Sequence, residues 1–110
     1  MPNFKVYFFQ TARGTLPIKE FMETQNDEVY TKILRSIKLL REGGPFLKPP
    51  EAKKIDRDLY ELRIRGQGAV RIFYTKTPAG YFLLHAFKKK TQKIPKKELK
   101  IAIDRMKKLV

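Results

Sequence analysis

Apolar and polar side chains alternate most regularly over residues 59–72, and the run from Leu59 to Thr91 reads as three β-strands, the first two joined by a tight turn at Gly66-Gln67-Gly68. Near the start, Phe4, Val6 and Phe8 alternate with Lys5 and Tyr7, which predicts an opening strand within residues 3–10. The period then lengthens to that of a helix. Ile18, Phe21 and Met22 form the stripe of a short helix with Thr15 as its cap and Pro17 in its first turn. Tyr30, Ile33, Leu34, Ile37 and Leu40 keep helical spacing in a second helix, which Gly43-Gly44-Pro45 ends. The Gly/Pro-rich stretch 43–50 is too short for an interdomain linker and joins the helices to the sheet. Pro95 opens a last helix with Leu99, Ala102, Ile103, Met106 and Leu109 on one face and Lys96, Lys97, Lys100, Lys107 and Lys108 on the rest. The order β-α-α-β-β-β-α defines an α+β fold, with two N-terminal helices and a C-terminal helix packed on one face of a mostly antiparallel sheet, and a single domain over 1–110.

The hydrophobic pattern also selects a register. With Ile64 opposite Val70 and Leu62 opposite Ile72, the apolar side chains share one face and Arg63 stands directly opposite Arg71 on the other. A one-residue slip would scramble both faces. Opposed like charges destabilise a sheet by roughly 0.2–1 kcal/mol. The pair therefore reads as an anion holder, with a solvated sheet face as the plain alternative, and removing Arg63 is expected to raise stability slightly. Residues 81–87 are apolar on both faces, so the side to which His85 points is not legible, and it reads as a hydrogen-bonded core residue rather than a catalyst.

Charge narrows the function. The chain has 25 Lys and Arg against 11 Asp and Glu, a net charge of +14, and 17 of the basic residues lie in 51–110 with only 6 acidic ones. Such an excess points to a nucleic-acid backbone or an anionic membrane. No apolar run is long enough to span a bilayer and no signal segment opens the chain, so a cytoplasmic protein is expected. Absence of cysteine excludes thiolate chemistry and disulfides, and a single histidine excludes a His-cluster metal site.

The runs Leu59-Tyr60-Glu61-Leu62-Arg63-Ile64, Val70-Arg71-Ile72-Phe73-Tyr74 and Leu83-Leu84-His85-Ala86-Phe87-Lys88-Lys89-Lys90-Thr91, followed by the Pro95 helix, closely resemble the phage-derived, HigB-like branch of the RelE/ParE toxin superfamily. The resemblance covers essentially the whole chain. It implies a RelE/ParE-like fold and a toxin of a toxin–antitoxin system: a ribosome-dependent, metal-independent endoribonuclease, or mRNA interferase, that inhibits translation without a cofactor. It also implies a HigA-like helix-turn-helix antitoxin as partner, besides the ribosome and mRNA. Arg71 matches the strand arginine that the superfamily aims at the scissile phosphate, and Arg63 matches a basic position on the preceding strand.

Cleavage of this kind needs cations for the charge developing on phosphoryl oxygens and groups that move protons. Arginine suits the first task, since it stays protonated and offers a planar fork. A lysine crowded by cations suits the second, which singles out Lys88, Lys89 and Lys90, with Lys88 first because the strand positions it best. Glu61 departs from the resemblance, because some related nucleases carry a basic residue there; it is either a general base or a salt-bridge partner. Lys53, Lys54, Arg65, Lys89, Lys90 and Lys93 make up the expected RNA-binding set. Two rival functions fit the same surface: a ParE-like DNA gyrase inhibitor and a non-catalytic basic RNA/DNA-binding module.

Overall fold

The computed structural model describes residues 3–66 and 69–109; Gln67 and Gly68 of the expected turn lie outside the described residues. Its elements are β1 (Val6–Phe8), α1 (Pro17–Glu23), α2 (Asp27–Gly43), a 3-10 turn (Gly44–Phe46), β2 (Ala52–Asp56), β3 (Leu59–Ile64), β4 (Val70–Thr77), β5 (Gly80–Lys88) and α3 (Lys96–Lys107). The strands form one sheet in the order β1-β5-β4-β3-β2. Only β1 runs parallel to its neighbour, so the α+β order and the mostly antiparallel sheet stand as the pattern predicted. One strand is additional. β2 lacks a clean alternation because its register slips between Lys54 and Asp56, which explains why periodicity did not reveal it.

The helical stripes need two corrections. Thr15 does not cap α1: the cap position is Leu16, without a side-chain bond, and the Thr15 hydroxyl instead meets that of Thr11 at 2.6 Å. In α2 the buried stripe is Val29, Ile33, Ile37 and Leu40, whereas Leu34 is 47% exposed. Asn26 sets the start of α2 by accepting a hydrogen bond from the Val29 N–H at 2.9 Å. Its end is fixed at Gly44, with φ of +51°, where a Cβ would come within 2.5 Å of the Phe4 ring.

Helices cover both faces of the sheet, not one. On one side, Ile18, Met22, Ile33 and Leu40 of α1 and α2 pack with Leu62, Ile64, Val70, Ile72 and Leu83. On the other, Ala102, Leu99, Ile103 and Met106 of α3 pack with Leu59, Phe73, Leu84 and Phe87. The expectation of one face failed because the inner strands are apolar on both sides, and a sheet of that kind needs two covers. In β5 the partner of Phe73 is His85 and that of Tyr74 is Leu83, so Leu84 is an extra residue that bulges toward α3.

His85 ties α3 down. Its Nε2 lies 2.6 Å from Glu98 Oε1, while Arg105 Nη1 lies 3.4 Å from its Nδ1 and donates to the Leu84 carbonyl at 2.9 Å. A neutral ring donating through Nε2–H and accepting at Nδ1 satisfies all three groups. Burial pushes the His85 pKa down, Glu98 pulls it back up, and Arg105 lowers it further. Because the folded value is depressed, the native state binds fewer protons than the unfolded chain, and stability falls with acidification. The melting temperature is expected to drop as pH falls from about 6.5, the unfolded value, through the lower folded value, and His85→Gln should remove that phase. Thermal melts of both proteins across this range check it; an identical pH dependence in the variant would show that His85 titrates without affecting folding.

Candidate anion-binding site

The hairpin register holds Arg63 opposite Arg71, Leu62 opposite Ile72 and Ile64 opposite Val70. Beneath the two arginines sits Glu61, buried with 1% of its surface exposed. Its Oε1 accepts from Arg63 Nε at 3.0 Å and lies 3.7 Å from Arg71 Nε. The opposed cations thus share one buried carboxylate, and two guanidiniums against one carboxylate leave an uncompensated positive charge. Arg63 and Arg71 keep 29% and 15% of their side chains exposed. Arg71 Nη1 donates to the Val70 carbonyl at 3.1 Å. Burial lowers the Arg71 pKa, Glu61 opposes this, and Arg63 and Arg65 add to it; a guanidinium nonetheless remains charged in any working range. Among the described residues, two buried side-chain atoms have no hydrogen-bond partner, Glu61 Oε2 and Arg71 Nε.

The lysines divide by face. Lys88 pairs with Val70, whose side chain belongs to the α1/α2 core, so strand alternation sets Lys88 on the opposite side from Arg71. Lys89 and Lys90, with Thr91 and Gln92, line a shallow depression of about 420 Å³ that contains Arg71. The Lys89 N–H donates to the Ala69 carbonyl at 3.0 Å, which extends strand pairing past β5. On the edge strand, Lys53 pairs with Glu61 and shares its face, whereas Lys54 pairs with Tyr60, which packs on the α1/α2 side. Arg65 leaves the end of β3 beside α2, and Lys93 lies in the exposed segment before α3. The structure therefore gathers Arg63, Arg71, Glu61, Lys53, Lys89 and Lys90, and leaves Lys88, Lys54 and Lys93 aside.

Sequence reasoning missed Lys32 and Arg35, which α2 sets beside Arg65. Their spacing of three residues on an amphipathic helix was the available signal, but nothing in the chain tells which strand faces them.

The model of the family described as Phage derived protein Gp49-like (DUF891) matches residues 20–107. The match takes in the end of α1, all of α2, the arginine hairpin and all of α3, and the chain belongs to this phage-derived, toxin-like family. No curated protein matches the chain.

Glu61 reverses the stability expected of Arg63. Arg63→Ala leaves a buried carboxylate with only a distant partner, so the protein should lose stability rather than gain it. Glu61→Ala should cost about 2–3 kcal/mol, below the roughly 3–5 of a fully buried pair because both guanidiniums reach water. Urea unfolding of the two variants measures this, and a stabilised Arg63→Ala would mean that repulsion between the arginines outweighs the shared carboxylate.

Proposed function

We propose that the protein is the toxin of a toxin–antitoxin pair, a ribosome-dependent mRNA endonuclease that blocks translation and that a HigA-like helix-turn-helix antitoxin neutralises. The observation that supports this reading best is the pair of cross-strand guanidiniums over a single buried carboxylate, with Lys89 and Lys90 on the same side. Such a cluster is preorganised for a phosphodiester: the arginines carry fixed positive charge and donors, and the sheet holds them still.

In the proposed reaction the RNA 2′-oxygen forms a bond to the adjacent phosphorus while the bond from phosphorus to the 5′-oxygen breaks, leaving a 2′,3′-cyclic phosphate and a free 5′-hydroxyl. One proton leaves the 2′-hydroxyl and one arrives at the departing oxygen. Arg71 and Arg63 offset the charge that grows on the phosphoryl oxygens. Glu61 acts as a positioning residue, since its burial and its bond to Arg63 take up the carboxylate that would otherwise serve as a base. His85 is engaged by Glu98 and Arg105. Proton transfer then falls first to Lys89, on the Arg71 side, and Lys88 becomes the comparison residue on the other side.

Arg71→Ala should lower mRNA cleavage on translating ribosomes by about 10²–10³ with little change in melting temperature, because Glu61 keeps its closer partner Arg63. Primer extension on mRNA recovered from an in-vitro translation mixture reads this, with a DNA gyrase supercoiling assay run in parallel. Cleavage by Arg71→Ala at the normal rate would remove that residue from the site. Inhibition of gyrase without mRNA cleavage would transfer the protein to the ParE-like class, and binding of nucleic acid with neither activity would make it a basic binding module.

A further inference from the structure

A second basic feature lies on the other side of the hairpin. Between α2 and the end of β3 is a cleft of about 420 Å³, lined by Lys32, Arg35 and Ser36 from the helix and by Arg63 and Arg65 from the strand, with Glu51 as its one acidic side chain. Leu39 and Ile64 also line it. Among the described residues, neither Arg35 nor Arg65 forms an ion pair, and Lys32 meets only the exposed Glu28 one helical turn away, at 3.3 Å. An exposed pair of that kind holds a lysine weakly. Lys32 Nζ also reaches the Arg65 carbonyl at 3.4 Å and so bridges helix to strand. Next to it Gly66 has φ of +110°, and a Cβ there would stand 2.5 Å from Lys32 Nζ. The glycine thus lets the ammonium lie against the strand end.

We infer that this cleft is a second subsite for the phosphate backbone of a single RNA strand, continuous with the Arg63/Arg71 face; the inference rests on the RNA-binding reading above. Continuity carries it. Arg63 lines the cleft and also bonds Glu61 on the opposite face, so the cations run without a break from Lys32 and Arg35 through Arg65 and Arg63 to Arg71, Lys89 and Lys90. Adjacent strands are about 4.8 Å apart, so β3 to β5 alone spans about 10 Å, and the cleft lengthens the path beyond the reach of one phosphate. Contacts of this kind fix the register of a strand on the protein and carry no base information. The cleft subsite therefore contributes affinity and orientation, while the chemistry stays at Arg71.

The test is fluorescence anisotropy with an end-labelled, 2′-O-methyl single-stranded RNA, which binds without being cut, measured over a salt series. Arg35→Ala and Arg65→Ala should each weaken binding and reduce the slope of log affinity against log salt by about 0.7. Lys19→Ala on α1, outside the band, is the control for net charge. Wild-type affinity and slope in both cleft variants, with Arg71→Ala weakened, would overturn the subsite and leave the Arg63/Arg71 reading intact. Wild-type affinity in Arg71→Ala as well would overturn both. An equal loss in Lys19→Ala would reduce the effect to overall charge and overturn the subsite. Retained RNA binding in cleft variants that no longer hold a co-expressed protein partner would overturn it in favour of protein docking.

Discussion

The buried carboxylate of Glu61 is the constraint on which the proposed site depends. Two arginines directly opposed on a sheet repel, and a carboxylate with 1% exposure is unfavourable when alone; placed together, each makes the other tolerable. The satisfaction is incomplete, because Glu61 Oε2 and Arg71 Nε have no partner. A buried polar group without a partner costs about 1–3 kcal/mol, so the cluster holds more hydrogen-bonding capacity than the fold uses. Both of those atoms are sealed from solvent, so an incoming phosphate oxygen would engage the exposed parts of the two guanidiniums beside the uncompensated charge. The cluster is thus a poor choice for stability, which fits the proposed role in anion recognition.

The rest of the fold keeps that cluster rigid and open. α1 and α2 fill one face of the sheet, and α3 crosses the other over Phe73, Leu84 and Phe87. The bulge at Leu84 gives α3 an extra apolar contact, and His85 fastens the helix through Glu98 and Arg105. α3 packs on β5 and β4, which leaves Arg63 and Arg71 partly in water at the hairpin end. Had α3 covered the whole face, the arginines would have been sealed beneath it; with no α3, Phe73 and Phe87 would lie bare.

Legibility in the sequence followed the regularity of the pattern. The register of β3 against β4 could be read because Leu62, Ile64, Val70 and Ile72 admit one alignment, and Arg63 and Arg71 came with it. The polar residues of α3 and its stripe were equally plain. β2 was not, since Ala52-Lys53-Lys54-Ile55-Asp56 is an edge strand with a register slip and no alternation to detect. The side taken by α3 was hidden for the opposite reason: residues 81–87 are apolar on both faces, and the bulge at Leu84 reverses the parity that a regular strand would have had. Lys88 followed from the same gap, because its face depends on the register with Val70. The role of Glu61 turned on burial, which depends on neighbours distant in the chain and which a strand pattern leaves open.

A net charge of +14 is spread over the molecule, yet screening decides which part of it matters. At physiological ionic strength the Debye length is about 8 Å, and the lysines along the outer face of α3 are exposed to water, where the high dielectric keeps their fields weak. At the hairpin end the geometry differs: neighbouring strands stand about 4.8 Å apart, inside the screening length, and Arg63 and Arg71 are partly withdrawn from water. Fields there add, and the lower local dielectric strengthens them. The basic helix has as many lysines, but the hairpin has the concentrated potential, with a carboxylate fixing its direction. Position rather than total charge therefore favours the Arg63/Arg71 face, and the cleft beside it, over α3 as the place proposed to hold a polyanion.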